Sequence, residues 1–220
     1  MRDRRGTYLV VLDSRAEDEP RELAAYLSEI AVLDFEVIIV DGSAPEAFDK
    51  NRRVLRWVGR HVAAAPQHVD AVRAAIDLAS CDKVIVADAK TRYSLSALDE
   101  LTSLLEVHEV VEPLNYFDPL PWWISPLPGH GSTFGFRKRA VRGLRSLDQN
   151  AAAHDSVREL ASRGAEVFTT KRLFVRRIPP AFSEWIRDLP RRALGRISFA
   201  VPNRIPIAVR ADGKQAATGK

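Results

Sequence analysis

The chain has 220 residues, of which 46% are hydrophobic, so it is long enough to bury one sizeable core and too short for two comfortable ones. Its formal net charge of +4 is unevenly distributed, because residues 171–220 hold 12 Lys/Arg against 3 Asp/Glu. The single cysteine, Cys81, excludes an internal disulfide framework and a cysteine-based metal site.

The basic residues 171–220 favour an anionic partner. Such a segment is typical of contacts with nucleic acid, anionic lipid or phosphorylated substrates. Nucleic acid is not expected, because no zinc-finger or helix-turn-helix spacing occurs and the aromatic residues are not interleaved with the basic ones. No apolar run approaches the ~20 residues that cross a bilayer, and the run at residues 8–12 is too short for a secretory core. We therefore expect a cytoplasmic protein with peripheral contact at the inner face of the membrane.

Three apolar runs in the first half, at residues 7–12, 36–40 and 83–87, predict buried strands because they are rich in Val and Ile. Stretches with apolar residues at helical spacing lie between them. This alternation predicts an α/β fold with a mostly parallel central sheet flanked by helices on both faces.

The amino-acid composition changes after a predicted strand at residues 107–112. Residues 113–136 are rich in proline and glycine and predict an irregular loop, followed by helices at 137–145 and 155–163. Short strands are predicted at 166–168 and 173–175, and a helix after Pro179-Pro180. We expect one domain over residues 1–194 and a basic, partly disordered tail over 195–220.

Three acids follow the predicted strands, namely Asp13, Asp41 and Asp88. The carboxyl ends of parallel strands share one edge of a sheet, and ligands bind there in open α/β folds. The alternative is that each aspartate caps a turn or the following helix.

Four stretches together resemble the family 2 glycosyltransferases: residues 36–43, the strand ending at Asp88, residues 115–122, and the helix opening at His154-Asp155. The resemblance covers about residues 7–192. It implies a GT-A fold, which is a single Rossmann-like domain. It also implies transfer of a sugar from a nucleotide-diphosphate donor to a hydroxyl acceptor, lipid or glycan, with inversion.

The resemblance also implies roles for individual residues. Asp41 matches an acid near the base and ribose, Asp88 an acid beside the diphosphate, and Asp155 the general base that deprotonates the acceptor. His154 is placed to tune or replace that base. The alternative for Asp155 is an N-cap of the following helix.

The main departure from the family is Lys90, which stands where members usually carry a second, metal-binding acid. Asp88 alone is a weak metal ligand, so Lys90 disfavours Mn²⁺ or Mg²⁺ as a cofactor. We expect Lys90 and Arg92 to hold the diphosphate, with Arg191 or Arg192 as a further cation. The alternative for Lys90 is a solvated side chain in a tight turn.

The acceptor side is expected at Trp122, Trp123 and His130, where the loop aromatics would form a wall over a pocket. The alternatives are tryptophans that pin the loop to the core and a solvent-exposed histidine. Two rival functions stay open: a catalytically impaired nucleotide-sugar-binding protein, favoured by Lys90, and a nucleotidyltransferase-like domain. A nucleotidyltransferase-like domain would need a glycine-rich, basic phosphate loop near the first strand, and residues 12–15 contain no glycine.

Overall fold

A computed structural model of the chain describes residues 4–12, 20–64, 71–124, 133–141, 153–183 and 185, with the backbone alone at 71–72 and 153–156. The chain forms two compact units, which meet in sequence at Pro179/Pro180. The sheet and its helices belong to the first unit, Met1–Pro179. The predicted boundary at residue 194 lies outside the described residues and stays a prediction.

The first unit alternates strands and helices through its first half, as predicted. The strands are β1 (Gly6–Leu12), β2 (Phe35–Asp41), β3 (Arg60–Ala63), β4 (Lys83–Asp88), β5 (Thr91–Arg92), β6 (Val110–Phe117), β7 (Thr133–Arg137) and β8 (Val167–Arg177). The helices are α1 (Pro20–Val32), α2 (Pro45–Leu55), α3 (Ala71–Leu78), α4 (Leu95–Val107) and α5 (Ala153–Ser162), with a 3₁₀ turn at Lys138–Val141.

The strands form one eight-stranded sheet in the order β3-β2-β1-β4-β7-β6-β8-β5. β1 pairs in parallel with β2 and β4, and β3 in parallel with β2. β7 runs antiparallel between β4 and β6, and β5 runs antiparallel to β8. The prediction of an α/β fold with a central sheet and flanking helices is confirmed, and the sheet is mixed because of β5 and β7.

Strands β1, β2 and β4 are buried on both faces, which explains their near-continuous apolar runs. Side chains alternate across a strand, so Tyr8 and Val10 contribute to one core while Leu9 contributes to the other. The first core packs against α1 and α4, and the second against α3 and α5. No helix of the described residues combines the length and apolar character needed to cross a membrane.

Four predicted elements of the second half differ from the structure. Over residues 137–141, the end of strand β7 and a 3₁₀ turn replace the predicted helix, whose remaining residues, 142–145, lie outside the described ranges. The two short strands predicted at 166–168 and 173–175 are one strand, β8, whose register against β6 shifts between Glu112 and Leu114. The predicted strand at 107–112 begins later, at Val110, because α4 extends to Val107.

Candidate active site

The carboxyl ends of β2, β1 and β4 meet at one edge of the sheet. Asp41 ends β2 opposite Leu12, and Asp88 ends β4 opposite Val11. The two acids therefore lie at one edge of the sheet, as predicted, and one strand, β1, separates them. The third acid of the prediction, Asp13, lies outside the described residues.

Asp41 is only 1% exposed, and all the hydrogen bonds described for its carboxylate come from protein donors. Oδ1 accepts a bond of 2.9 Å from the Ser43 backbone N–H, and Oδ2 accepts bonds from Asn51 Nδ2 at 3.1 Å and His61 Nε2 at 3.0 Å. Burial alone would raise the pKa of Asp41, but these bonds outweigh burial and hold it below its ordinary value. Asp41 thus ties the start of the loop after β2 to α2 and β3.

Asp88 lies in a partly exposed turn and is held from three directions. Oδ1 accepts bonds from the Lys90 backbone N–H at 3.1 Å and from Thr91 Oγ1 at 2.6 Å. Oδ2 accepts a hydrogen bond from Arg177 Nη2, which also makes the two residues an ion pair.

Arg177 is the main site residue that the sequence analysis missed. It ends β8, opposite Phe117 of β6 on one side and Thr91 of β5 on the other. Two backbone bonds hold this strand end in place, from Asp118 N to Arg177 O at 3.1 Å and from Ile178 N to Lys90 O at 2.9 Å. The available signal was a pair of arginines at the end of a predicted strand, but a single sequence does not show that β8 ends beside Asp88.

Arg92 does not join Lys90 and Asp88 in the way that the sequence suggested. It is 8% exposed, and its guanidinium bonds to both carboxylate oxygens of Glu22. Nη1 donates to the carbonyls of Ala89 at 2.6 Å and Thr91 at 2.9 Å, so protein acceptors take four of its five N–H groups. Its cation also lies 4.7 Å from the centre of the Tyr26 ring. In this structure Arg92 braces the turn and α1.

The other predicted site residues are spread more widely. Trp122 is 85% exposed, and Trp123 is half-buried with its ring perpendicular to that of Trp122 at 5.5 Å. His154 and Asp155 lie in the first turn of α5, so Asp155 is already inside the helix rather than at its N-cap, and their side chains lie outside the described residues. The described residues also leave out His130, Arg191 and Arg192 entirely.

The described residues around Asp88 do not fit a divalent cation. Within the described ranges, no three His, Cys, Asp or Glu side chains come together as a metal site would require. Asp88 carries a guanidinium on one oxygen and two donors on the other. Two unit charges ~4 Å apart interact by about 4 kcal/mol at an effective dielectric near 20, so Arg177 would repel a doubly charged ion by about twice that.

Comparison with solved structures places this geometry in a known fold. A mannosyltransferase from Pyrobaculum calidifontis, solved in complex with GDP-Man and Mn²⁺, aligns with a TM-score of 0.60 at 15% identity over 84% of this chain. A mycobacterial protein aligns with a TM-score of 0.58 at 13% identity over 81%, and the bifunctional IspDF of Campylobacter jejuni with 0.51 at 12% over 74%. The fold is of the GT-A, Rossmann-like type.

These likenesses establish the GT-A, Rossmann-like fold and not membership of family 2. The chain spans 60% of the mannosyltransferase, 69% of the mycobacterial protein and 49% of IspDF. No protein-family model and no curated protein matches the sequence.

Proposed function

We propose that this protein is a glycosyltransferase of the family 2 kind, which moves a sugar from a nucleotide-diphosphate donor to a hydroxyl acceptor with inversion. The observation that carries the proposal is the turn from Asp88 to Arg92 at the carboxyl edge of a GT-A sheet, one strand away from Asp41. Ligands of open α/β sheets bind at this edge. The fold is shared with a mannosyltransferase that was solved with its nucleotide sugar.

The reaction is a single displacement at the anomeric carbon of the donor. The acceptor oxygen forms the new glycosidic bond while the bond from the anomeric carbon to the phosphate oxygen breaks, and its electron pair leaves with the nucleoside diphosphate. The acceptor proton passes to a base, and we assign that role to Asp155 in the first turn of α5, with His154 beside it in sequence. Lys90, in the turn after Asp88, would stabilise the charge on the leaving diphosphate.

Asp41 would act indirectly, by holding the loop after β2 in place. Its enclosed carboxylate fixes the Ser43 backbone and Asn51, so it would position the loop on which the nucleoside rests. The acceptor, lipid or glycan, would approach the side of Trp122 and Trp123. A lipid acceptor would bring the protein to the inner face of a membrane, where the exposed Trp122 ring suits the interfacial region.

A second candidate function is a nucleotide-sugar-binding protein without transfer. Arg177 already neutralises Asp88, and Arg92 is committed to Glu22, which favours a site that holds a ligand over one that turns it over. Both candidates need the same donor pocket, and they differ only in whether nucleoside diphosphate is released.

The test is a panel of nucleotide sugars incubated with the purified chain, with and without Mn²⁺, while binding and nucleotide release are followed. The variants are Lys90→Ala and Asp155→Asn. The control is Arg163→Ala, whose side chain pairs with Glu159 at the end of α5, at the opposite edge of the sheet. We expect release by the wild type and the control and at least about a tenfold loss in each of the other two variants. Binding without release supports the second candidate, and no binding to any donor rejects both.

A further inference from the structure

Arg177 has more hydrogen-bonding capacity than its described surroundings use. Nη2 donates to Asp88, while Nε is buried and has no hydrogen-bond partner among the described residues. A guanidinium has five N–H groups, and Asp88 is the one acceptor of Arg177 within the part of the chain that the structure describes. Because Nε is shielded from solvent, the N–H groups that a ligand could reach are those of Nη1 and the second one of Nη2, on the exposed part of the side chain.

The guanidinium is also held in a defined position. Its carbon lies 5.5 Å from the centre of the Phe117 ring, and its strand is bonded on both sides, to the end of β6 and to the turn that carries Lys90. Its side chain remains 27% exposed at the carboxyl edge of the sheet. An arginine oriented by one carboxylate can present the rest of its planar fork to a phosphate.

A metal ion would be disfavoured at the same place. Asp88 already has three described donors, and Arg177 brings a positive charge to the oxygen that a cation would need. A diphosphate is negatively charged and would meet the positively charged Arg177. It would also lie near Lys90, whose backbone carbonyl accepts a bond from Ile178, the residue after Arg177. The arrangement therefore suits the anion of the donor better than the cation that usually accompanies it.

We propose that Arg177 takes the place of the divalent cation in this protein: oriented by Asp88, its guanidinium binds the diphosphate of the nucleotide donor directly. The proposal rests on the proposed function for the identity of the donor, and it adds a binding residue and metal independence. Asp88 then serves as a positioning residue that orients the cation, not as a metal ligand.

The experiment measures the binding of inorganic pyrophosphate, UDP and GDP by titration calorimetry in the presence of EDTA. We expect pyrophosphate and at least one of the nucleotides to bind the wild type without metal. Arg177→Ala should weaken that binding by at least about tenfold, and Arg177→Lys should fall between the two because it keeps the charge and loses the fork. The matched control is Arg172→Ala, an exposed arginine of the same strand with no ion pair among the described residues.

Asp88→Asn separates the two models of the site. If the carboxylate only orients Arg177, this variant keeps metal-free binding to within about threefold; if Asp88 is a metal ligand, wild-type binding needs Mn²⁺ and the variant loses that Mn²⁺-dependent binding. Arg177→Lys and Asp88→Asn also keep the test decisive if thermal melting shows that Arg177→Ala does not fold. An Mn²⁺ requirement in the wild type, loss of binding in Asp88→Asn, or equal binding by Arg177→Lys and Arg172→Ala would overturn the proposal.

Failure of this inference can be told apart from failure of the proposed function. Nucleotide release that requires Mn²⁺ rejects the role of Arg177 and keeps the glycosyltransferase. Pyrophosphate binding that depends on Arg177, without release from any nucleotide sugar, keeps the anion site and rejects transfer.

Discussion

At the residue scale, Asp41 illustrates how an expected ligand contact can serve the fold instead. Its carboxylate is enclosed, and the hydrogen bonds that lower its pKa join β2 to α2 and to β3. His61 contributes one of these bonds, and its other ring nitrogen, Nδ1, is buried with no hydrogen-bond partner in the part of the chain that the structure describes. The charge of Asp41 therefore stabilises a polar cluster next to the donor pocket that we propose.

Asp41→Asn should destabilise the protein by about 2–3 kcal/mol, because it weakens charge-assisted bonds and turns an amide donor toward other donors. Urea unfolding at neutral pH measures this change. Asp49→Asn, on the exposed side of α2, is the control and should change stability by less than about 0.5 kcal/mol. Unchanged stability with lost nucleotide binding would show instead that Asp41 contacts the donor itself.

At the element scale, the turn between α2 and β3 depends on a residue without a side chain. A Cβ added to Gly59 would lie 2.5 Å from the Val37 carbonyl oxygen and 2.8 Å from the Val37 Cβ, so this turn packs directly on β2. β3 follows at once and pairs with β2 from Arg60 onward. The close approach brings His61 to Asp41.

Gly59→Ala should therefore cost about 1–3 kcal/mol of unfolding free energy, because the backbone of β2 cannot move away cheaply. Gly42→Ala is a matched control, since its added Cβ would meet its nearest neighbour, the Leu12 carbonyl oxygen, at an ordinary 3.5 Å. Thermal melts of the two variants check the difference. Equal melting temperatures would mean that the turn relaxes without cost.

At the scale of the whole molecule, the edge opposite the candidate site is held by a buried carboxylate, Glu36. Its Oε2 accepts bonds from Thr7 Oγ1 at 2.8 Å and from the Ser80 backbone N–H at 2.7 Å and hydroxyl at 2.9 Å. Burial would raise the pKa of Glu36, but these bonds and the nearby Arg4 lower it below its ordinary value of 4.5. Glu36 thus links β1, β2 and the segment before β4.

This depressed pKa makes stability depend on pH. As the pH falls through about 4.5, Glu36 takes up a proton in the unfolded chain before it does so in the folded protein, so its contribution is present above that pH and is lost below it. Glu36→Gln should be less stable than the wild type by about 1–2 kcal/mol at pH 7 and should lose less stability on acidification to pH ~3. Glu100→Gln, on an exposed position of α4, should follow the wild-type pH curve, and a parallel curve for Glu36→Gln would contradict the assignment.

Local sequence pattern was enough to predict part of the fold. Near-continuous apolar runs identified β1, β2 and β4, since the central positions of strands that are buried on both faces are mostly apolar. Their ends placed Asp41 and Asp88 on one edge, and the motifs around them indicated a GT-A fold. Lys90 led us to expect a diphosphate site without the usual pair of metal-binding acids, and both that site and the role of Lys90 stay predictions.

Which side chains meet at that edge depends on contacts between segments that are distant in sequence. Asp88 and Arg177 are 89 residues apart in sequence, and they meet because β8 runs parallel to β6 and ends beside the turn that carries Asp88. Arg92 pairs with Glu22 because the packing of α1 on the sheet brings that carboxylate to the buried guanidinium. Strand pairing between distant segments depends on the packing of the whole sheet, and no spacing along the chain records it.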